Sequence, residues 1–193
     1  AETSLKKIIT LQPDKVTHKL NLASLYMDSN RKSQAEAAIA GILNNKAAAE
    51  DDYLAVSRFY LQRSLAAQAE QTLQAGIKRH DKTFKLRYAL AEFYLNIGKP
   101  DQAMALLKEC LKLEKKPDTP QAIQAKNALA GCHVKKGDLD TALETVNEAI
   151  KDSPKSLDLH FTKGRILILQ GQGAFAVAEL RPVVSDRPEF IPG

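Results

Sequence analysis

One pattern of residue types recurs through the whole chain at a nearly constant interval. A shift of 34 residues aligns three units, which share Tyr26, Tyr60 and Tyr94; Ala35, Ala69 and Ala103; and Ile39, Leu73 and Leu107. Further shifts of 39 and 34 residues add two more units, with His133, Ala142 and Val146 in one and Leu167, Ala176 and Leu180 in the other. Self-similarity at this period predicts stacked copies of one supersecondary unit.

Each unit has the pattern of two helices joined by a tight turn. Leu90, Ala91 and Tyr94 recur at the three- and four-residue spacing of one helix face. Gly98 follows, and glycine ends a helix well because it enters the left-handed conformation without a Cβ clash. Pro100 then suits the first turn of the second helix. The turn position of the other units is occupied by Asn30, Ser64, Gly137 and Gly171.

The order Leu-Ala-x-x-Tyr, Gly, Ala, Leu and Pro at this period resembles the tetratricopeptide repeat (TPR), and the resemblance covers essentially the whole chain. It implies an all-α fold: a right-handed α-α superhelix, or solenoid, of stacked antiparallel helix pairs. The sequence departs from the family where a large aromatic residue is usual in the first helix. Only Tyr53 is aromatic there, and the equivalent residues are Lys19, Arg87, Lys126 and His160.

The phase of the repeat makes residues 1–193 one array. We assign residues 1–15 to the second helix of a preceding repeat and residues 191–193 to the start of a further one, so we expect a fragment of a longer array. The five repeats between them are 16–49, 50–83, 84–122, 123–156 and 157–190. Because neither end carries a polar capping helix, we expect exposed apolar ends and self-association through them.

The segment EKKPDTP, residues 114–120, contains the break in the period. We predict that the preceding helix runs on to Lys115 and Lys116, and that Asp118 or Thr119 with Pro120 starts the next helix. The five extra residues are interpreted as a surface loop or a longer helix end, with a hinge as the alternative. Farther along, Pro182 is predicted to kink a second helix without ending it.

No constellation of residues indicates catalysis, so we predict that the chain is not an enzyme and holds no metal or cofactor. Two cysteines, Cys110 and Cys132, make neither a disulfide framework nor a zinc site and are interpreted as inert thiols. The stretch GQGAFA, residues 171–176, lacks the preceding strand of a phosphate-binding loop. The net charge of +5 is scattered, and no apolar run approaches 18 residues, so we expect neither a nucleic-acid partner nor a membrane span.

The family resemblance implies a binding surface on the concave side, formed by positions 2, 5, 9, 12 and 13 of the first helices. Position 5 is mostly apolar here, so the Lys/Asn/Arg clamp with which some members grip a chaperone C-terminus is absent. Such a surface suits an amphipathic helix or an extended hydrophobic segment, unless some of these side chains only thicken the core. The candidate groove residues are Leu20, Met27, Leu54, Arg58, Leu61, Tyr88, Glu92, Leu95, Asn127, Phe161 and Arg165.

These expectations together describe a non-catalytic scaffold that binds a peptide or helix of a partner protein within a larger assembly. The Ala-rich repeat is similar to bacterial arrays, some of them in the periplasm or the cell envelope, and the chain is otherwise interpreted as a soluble fragment. Two alternatives remain open. One is an interaction array attached to a catalytic domain elsewhere in a longer protein. The other is a helical-repeat RNA binder, against which the apolar position-5 column argues.

Overall fold

The computed structural model describes residues 1–186. Over this range the chain forms eleven α-helices and no strand, which confirms the predicted all-α fold. It divides into two compact units, residues 1–86 and the described residues from 87 onward, with the boundary inside the sixth helix. The residues 191–193 assigned to a further repeat lie outside the described range. The helices are α1 (Glu2–Leu11), α2 (Val16–Asp28), α3 (Lys32–Leu43), α4 (Glu50–Gln62), α5 (Ala66–Arg79), α6 (Phe84–Asn96), α7 (Pro100–Leu113), α8 (Pro120–Lys136), α9 (Leu139–Asp152), α10 (Leu157–Leu169) and α11 (Gly173–Asp186).

Each pair of helices is joined by the same backbone turn. In all five turns the amide after the left-handed residue donates to the carbonyl five residues earlier, as from Arg31 to Tyr26 at 2.8 Å and from Gln172 to Leu167 at 2.8 Å. This Schellman arrangement satisfies carbonyls that the helix end would otherwise leave unpaired. The predicted turn positions are therefore confirmed, including the two without glycine. Their φ angles are 59° at Asn30, 57° at Ser64, 74° at Gly98, 78° at Gly137 and 75° at Gly171.

The first unit contains α1 to α5 and the first residues of α6. Helix α2 packs on α3 and α4, and α4 packs on α5, around a buried cluster of Leu22, Ala23, Tyr26, Ala35, Ile39, Ile42, Val56 and Phe59. Helix α1 is held on α2 by Glu2, whose carboxylate accepts hydrogen bonds from the Tyr26 hydroxyl at 2.9 Å and from Arg31 at 2.8 Å. Hydrogen bonds from Lys6, Arg31 and Tyr26 lower the pKa of Glu2 to about 2.

The second unit contains the rest of α6 and α7 to α11. Helix α8 packs on α7 and α9, and α10 packs on α8, α9 and α11. A buried cluster of Ala130, Ala142, Val146, Ala149, Leu159 and Ile166 lies between them. The recurring alanine of the second helices is buried in both units, at most 2% exposed, and this small side chain lets the paired helices approach closely. These alanines are Ala35, Ala69, Ala103, Ala142 and Ala176.

The extra residues of the middle repeat lengthen a helix. Helix α8 has 17 residues, whereas α2, α4, α6 and α10 have 13 each. Thr119 caps α8 as predicted: its Oγ1 accepts from the Ala122 amide at 3.1 Å and donates to Glu114 at 2.7 Å. The prediction that α7 runs on to Lys115 and Lys116 is wrong, because α7 ends at Leu113. Glu114 is already extended, which brings its carboxylate to the Thr119 hydroxyl.

Helix α11 continues through Pro182 to Asp186, so this proline does not end it, as predicted. Its partner α10 meets it at Gly164. A Cβ built on Gly164 would lie 2.5 Å from Cγ and 2.6 Å from Cδ2 of Leu180. Gly41 in α3 offers the opposite case, since a Cβ there would have no neighbour within 4 Å. Substituting alanine at each glycine therefore distinguishes the cost of overpacking, expected only at Gly164, from the gain in helix propensity, expected at both.

Gly164→Ala is expected to lower the free energy of unfolding by about 1 kcal/mol. Overpacking costs about 1–3 kcal/mol, and the better helix propensity of alanine offsets about 1 kcal/mol of it. Gly41→Ala, the matched control, should raise the free energy of unfolding by about 0.5–1 kcal/mol. Urea titration followed by circular dichroism measures both. A Gly164→Ala protein at least as stable as the original would show that α10 and α11 do not meet in this way.

Candidate functional site

A cleft of about 330 Å³ lies between the first helices of the second unit, α6, α8 and α10. We call it the second-unit cleft. Side chains one or two turns apart on each helix reach it, because residues three or four positions apart share a helix face. Its lining residues are Tyr88, Leu95 and Asn96 from α6; Asn127, Ala128, Gly131, Val134 and Lys135 from α8; and Thr162, Arg165, Ile166 and Leu169 from α10.

The second-unit cleft combines apolar wall surface with polar side chains. The polar members of its lining are Tyr88, Asn96, Asn127, Lys135, Thr162 and Arg165. The Tyr88 hydroxyl is hydrogen-bonded with Gln124 and Glu92, and burial, with the Glu92 charge, raises the pKa of Tyr88 to about 12. The phenol therefore stays neutral at physiological pH. The Oδ1 atom of Asn127 is buried and has no hydrogen-bond partner within the described residues. An acceptor left in this state costs about 1–3 kcal/mol of stability.

Gly131 keeps the second-unit cleft open. It lies in the middle of α8, and a Cβ built there would have no neighbour within 4 Å. Its position on the cleft wall is therefore vacant space and not a close approach of two helices. A larger side chain at residue 131 would extend into the cleft without displacing the core.

The first unit has its own cleft of about 360 Å³, here called the first-unit cleft. Its lining is more polar, and Arg63 occupies much of its edge. The Arg63 guanidinium lies 4.2 Å from the centroid of the Phe59 ring, donates to the Ser24 hydroxyl and lies 3.8 Å from Asp28. The lining residues are Thr17, Leu20, Asn21, Ser24, Ala55, Arg58, Phe59, Gln62 and Arg63.

The structure brings together six of the eleven candidate groove residues. In the second unit, Tyr88, Leu95, Asn127 and Arg165 line the cleft, and in the first unit Leu20 and Arg58 line theirs. Two others lie beside the second-unit cleft residues: Glu92 is bonded to Tyr88, and the Phe161 ring centroid is 5.8 Å from the Arg165 guanidinium. Whether any of them contacts a partner stays a prediction.

The remaining three candidates lie outside the lining of either cleft. They are Met27, Leu54 and Leu61. Met27 packs on the first-unit core, as does the cleft residue Leu20. For these two residues the alternative given above, that some candidate side chains belong to the core, therefore applies. Leu61 is 42% exposed.

The candidate list left out lining residues at two repeat positions. Position 6, which was not among the expected binding positions, supplies Asn21, Ala55, Ala128 and Thr162. Position 13 was among them, but its lining residues Gln62, Asn96, Lys135 and Leu169 were not listed as candidates. The chemistry of both columns varies from unit to unit, whereas the position-5 column is mostly apolar.

Other reactive groups do not converge. Cys110 and Cys132 are buried free thiols, and burial raises their pKa values to about 12 and about 11, so both stay protonated at neutral pH. Within residues 1–186 no group of three or more His, Cys, Asp or Glu side chains is arranged to hold a metal ion. In the same range no helix combines the length and apolarity needed to cross a membrane.

Three of the four residues that replace the usual first-helix aromatic, Arg87, Lys126 and His160, join first helices to second helices. Arg87 bonds Glu109 of α7 at 3.0 Å, and Lys126 bonds Asp152 of α9 at 2.5 Å. His160 sits between two acceptors, with Nδ1 2.6 Å from Glu179 of α11 and Nε2 2.9 Å from the Pro154 carbonyl. Only an imidazolium can donate to both at once. This contact orients α10, which carries Arg165 into the cleft.

The charges around His160 shift two pKa values in opposite directions. Partial burial acts to lower the pKa of His160, but the hydrogen bonds with Glu179 and Pro154 outweigh it and raise the pKa. Burial likewise acts to raise the pKa of Glu179, and the hydrogen bonds from Lys163 (2.6 Å) and His160 outweigh it and lower the pKa. The His160 contribution to stability is therefore present below about pH 6.5 and lost as pH rises through the raised value. The Glu179 contribution is present above about pH 4.5 and lost on acidification.

Known proteins share this repeat and this fold. The family model described as "Tetratricopeptide repeat" matches residues 54–120 and 88–157, together more than half of the chain. No curated protein matches the sequence.

Three solved structures are similar in fold. YrrB, described as a TPR protein with an unusual peptide-binding site, is 18% identical with a TM-score of 0.58, covering 98% of this chain and 95% of YrrB. A tetratricopeptide repeat protein from Parabacteroides merdae ATCC 43184 is 16% identical with a TM-score of 0.66, covering 96% of this chain and 72% of that one. MamA, residue 41 to its end, from Desulfovibrio magneticus RS-1 is 13% identical with a TM-score of 0.64, covering 93% and 98%.

Raising the pH from 6 to 8.5 is expected to lower the free energy of unfolding, with about 1 kcal/mol of the loss due to His160, since its deprotonation removes one charge-assisted hydrogen bond. His160→Gln should remove that part of the pH dependence. His18→Gln is the control, because His18 bonds only the exposed Gln12 side chain at 2.9 Å. Thermal melts at the two pH values measure the difference. An unchanged pH dependence in His160→Gln would contradict the assignment.

Proposed function

Because the chain belongs to the tetratricopeptide repeat family, we propose that it is a non-catalytic scaffold that binds a segment of a partner protein in the second-unit cleft. Helical-repeat folds of this kind serve protein–protein interaction in general and are typically not catalytic, since their stacked pairs expose extended helix faces. The proposal adds the place of binding and the form of the ligand, a peptide or a single helix.

The composition of the second-unit cleft carries this proposal. Leu95, Val134 and Leu169 supply apolar wall surface, and Leu169 is 55% exposed. Binding sites combine apolar walls with a few polar groups that fix orientation, and the side chains of Asn96, Asn127 and Thr162 in the lining are such groups. A peptide offers both parts of the match: apolar side chains for the walls and backbone groups for the amides and the hydroxyl.

Two further observations support the proposal. The cleft lies on the first helices, which is where the family resemblance places partner binding. YrrB, a protein of similar fold, is described as having a peptide-binding site. Non-catalysis is supported by the reactive groups: both thiols are buried with raised pKa values, and Tyr88 stays a neutral phenol.

Assembly with a second copy of the chain is the other part of the proposal. In α9, Leu143 and Ile150 pack on the buried cluster that includes Leu159 of α10. The equivalent residues 34 positions later, Val177 and Val184 of α11, are 58% and 44% exposed. In α9 this face is covered by the helix pair that follows it. In α11 the equivalent face is apolar and exposed. A second copy that covers it would place the scaffold in a larger assembly, an envelope complex being one such setting.

A displayed library of random twelve-residue peptides tests the binding site. The whole chain should retain a family of related peptides, and Gly131→Leu should weaken them at least tenfold because leucine fills the cleft. Tyr88→Ala and Phe161→Ala should each cost about 1–2 kcal/mol of binding, the range of an aromatic anchor. Gly41→Leu is the matched control on α3. If these cleft variants bind like the original protein, or no peptide is retained, the site is wrong.

Self-association is tested by sedimentation velocity at rising protein concentration. The original chain should shift toward larger species, and Val177→Asp with Val184→Asp should weaken that shift at least tenfold, because two carboxylates would have to leave water. Ala37→Asp with Ala40→Asp adds the same charge to exposed positions of α3 and is the control. A chain that stays monomeric at about 1 mM would rule out a second copy as the occupant.

A further inference from the structure

Most cations on the first helices of the second unit are paired with a carboxylate on a second helix. From Arg87 onward α6, α8 and α10 carry six lysines and arginines, and four of them have such a partner. The pairs are Arg87 with Glu109 at 3.0 Å, Lys126 with Asp152 at 2.5 Å, Lys136 with Asp101 at 2.6 Å and Lys163 with Glu179 at 2.6 Å. On these helices a lysine or arginine is therefore usually neutralised by a carboxylate of a second helix.

The two exceptions both line the second-unit cleft. Lys135 lies near the end of α8 and Arg165 in α10, and within the described residues neither has a carboxylate within 4.0 Å. Their neighbours along the chain, Lys136 and Lys163, are paired. No Asp or Glu lines the cleft itself. Among its lining residues the cleft thus holds two cations and no carboxylate, and the acid beside it, Glu92, is hydrogen-bonded to Tyr88.

These cations share the cleft with apolar surface. Leu95, Val134 and Leu169 form part of the lining, and the Arg165 guanidinium lies 5.8 Å from the centroid of the Phe161 ring. Asn96, Asn127 and Thr162 add amide and hydroxyl groups, which suit the peptide groups of a chain that continues past the cleft. A ligand that fits both the apolar walls and the unpaired cations carries an apolar side chain and a negatively charged group.

We infer that the second-unit cleft selects a partner segment in which an aspartate or glutamate side chain stands beside a large apolar side chain. The apolar side chain packs on Leu95, Val134 and Leu169, and the carboxylate takes the place left open beside Lys135 and Arg165. This inference rests on the proposed function, because it names the class of segment bound at that same site. Charge complementarity carries it: opposite charges across an interface favour the right partner and exclude basic ones.

The carboxylate is assigned to a side chain within a continuing segment and not to a chain terminus. The lining offers side-chain amides and a hydroxyl on all three helices, Asn96, Asn127 and Thr162, so hydrogen-bonding groups extend across the whole cleft. A peptide bound by its C-terminal carboxylate would meet these hydrogen-bonding groups on one side of the carboxylate only. Salt should weaken binding, since exposed cations are screened at high ionic strength.

The test uses the whole chain and the same displayed library of random twelve-residue peptides. Retained peptides should be enriched in Asp or Glu within four residues of Leu, Ile or Phe. One retained sequence is then synthesised with both ends blocked, and its affinity is measured by fluorescence anisotropy. Lys135→Gln with Arg165→Gln should weaken it at least tenfold, and Glu→Gln in the peptide should do the same. The two losses should not add, because they remove one contact.

Lys151→Gln with Lys155→Gln is the matched control, since both are exposed lysines outside the cleft and the change in net charge is the same. Its affinity should equal that of the original chain. Retained peptides that lack acids but are lost in Gly131→Leu would overturn this inference and leave the proposed function intact. Retention of no peptide would overturn both.

Two other ligands would also overturn the inference. One is a Glu→Gln peptide that recovers its full affinity when its C-terminal carboxylate is left free, because the cleft would then select a chain terminus. The other is a twelve-nucleotide uridine RNA that binds more tightly than the acidic peptide and depends on Lys135 and Arg165, because the cations would then serve phosphates.

Discussion

The close approach of paired helices at a buried alanine is the contact on which the rest of the structure depends. Ala35, Ala69, Ala103, Ala142 and Ala176 are essentially inaccessible to solvent. Each removes the bulk that would hold its helix pair apart, and the aliphatic residue four positions later then fills the space beside the crossing. Only with the pairs closed do three first helices of the second unit lie near enough to enclose a cleft. The second-unit cleft is in this sense a product of the core.

Much of this fold could be predicted from the sequence because the repeat reports the same physical requirement five times. A single Ser64 in a turn carries little information, but its alignment with Gly98 and Gly137 indicates the left-handed conformation that the structure has. The end of α7 was missed because it occurs once, at the insertion, where no other unit shows the rule. There Glu114 is extended and accepts a hydrogen bond from Thr119, a contact that helix propensity does not reveal.

The candidate site was predictable in part, and for a different reason. Repeat position identifies which helix face a residue occupies, so Tyr88, Leu95 and Asn127 could be placed on one surface, and all three line the second-unit cleft. Whether a cation such as Lys135 is neutralised depends on a residue of another helix, which the repeat does not encode. The same applies to His160, whose partner Glu179 lies on the other helix of its hairpin. Repeat spacing does not predict which charged side chains pair with each other in the folded chain.

The five turns also differ between the two units in a way that bears on how the chain frays. All three turns built on glycine, at Gly98, Gly137 and Gly171, belong to the second unit, whereas Asn30 and Ser64 of the first unit hold the left-handed conformation with a Cβ present. Such a residue costs about 1–2 kcal/mol more than glycine, somewhat less for asparagine. Local opening of the chain should therefore begin at the hairpins of the first unit, and the part that carries the second-unit cleft should be the last to lose its amide protection.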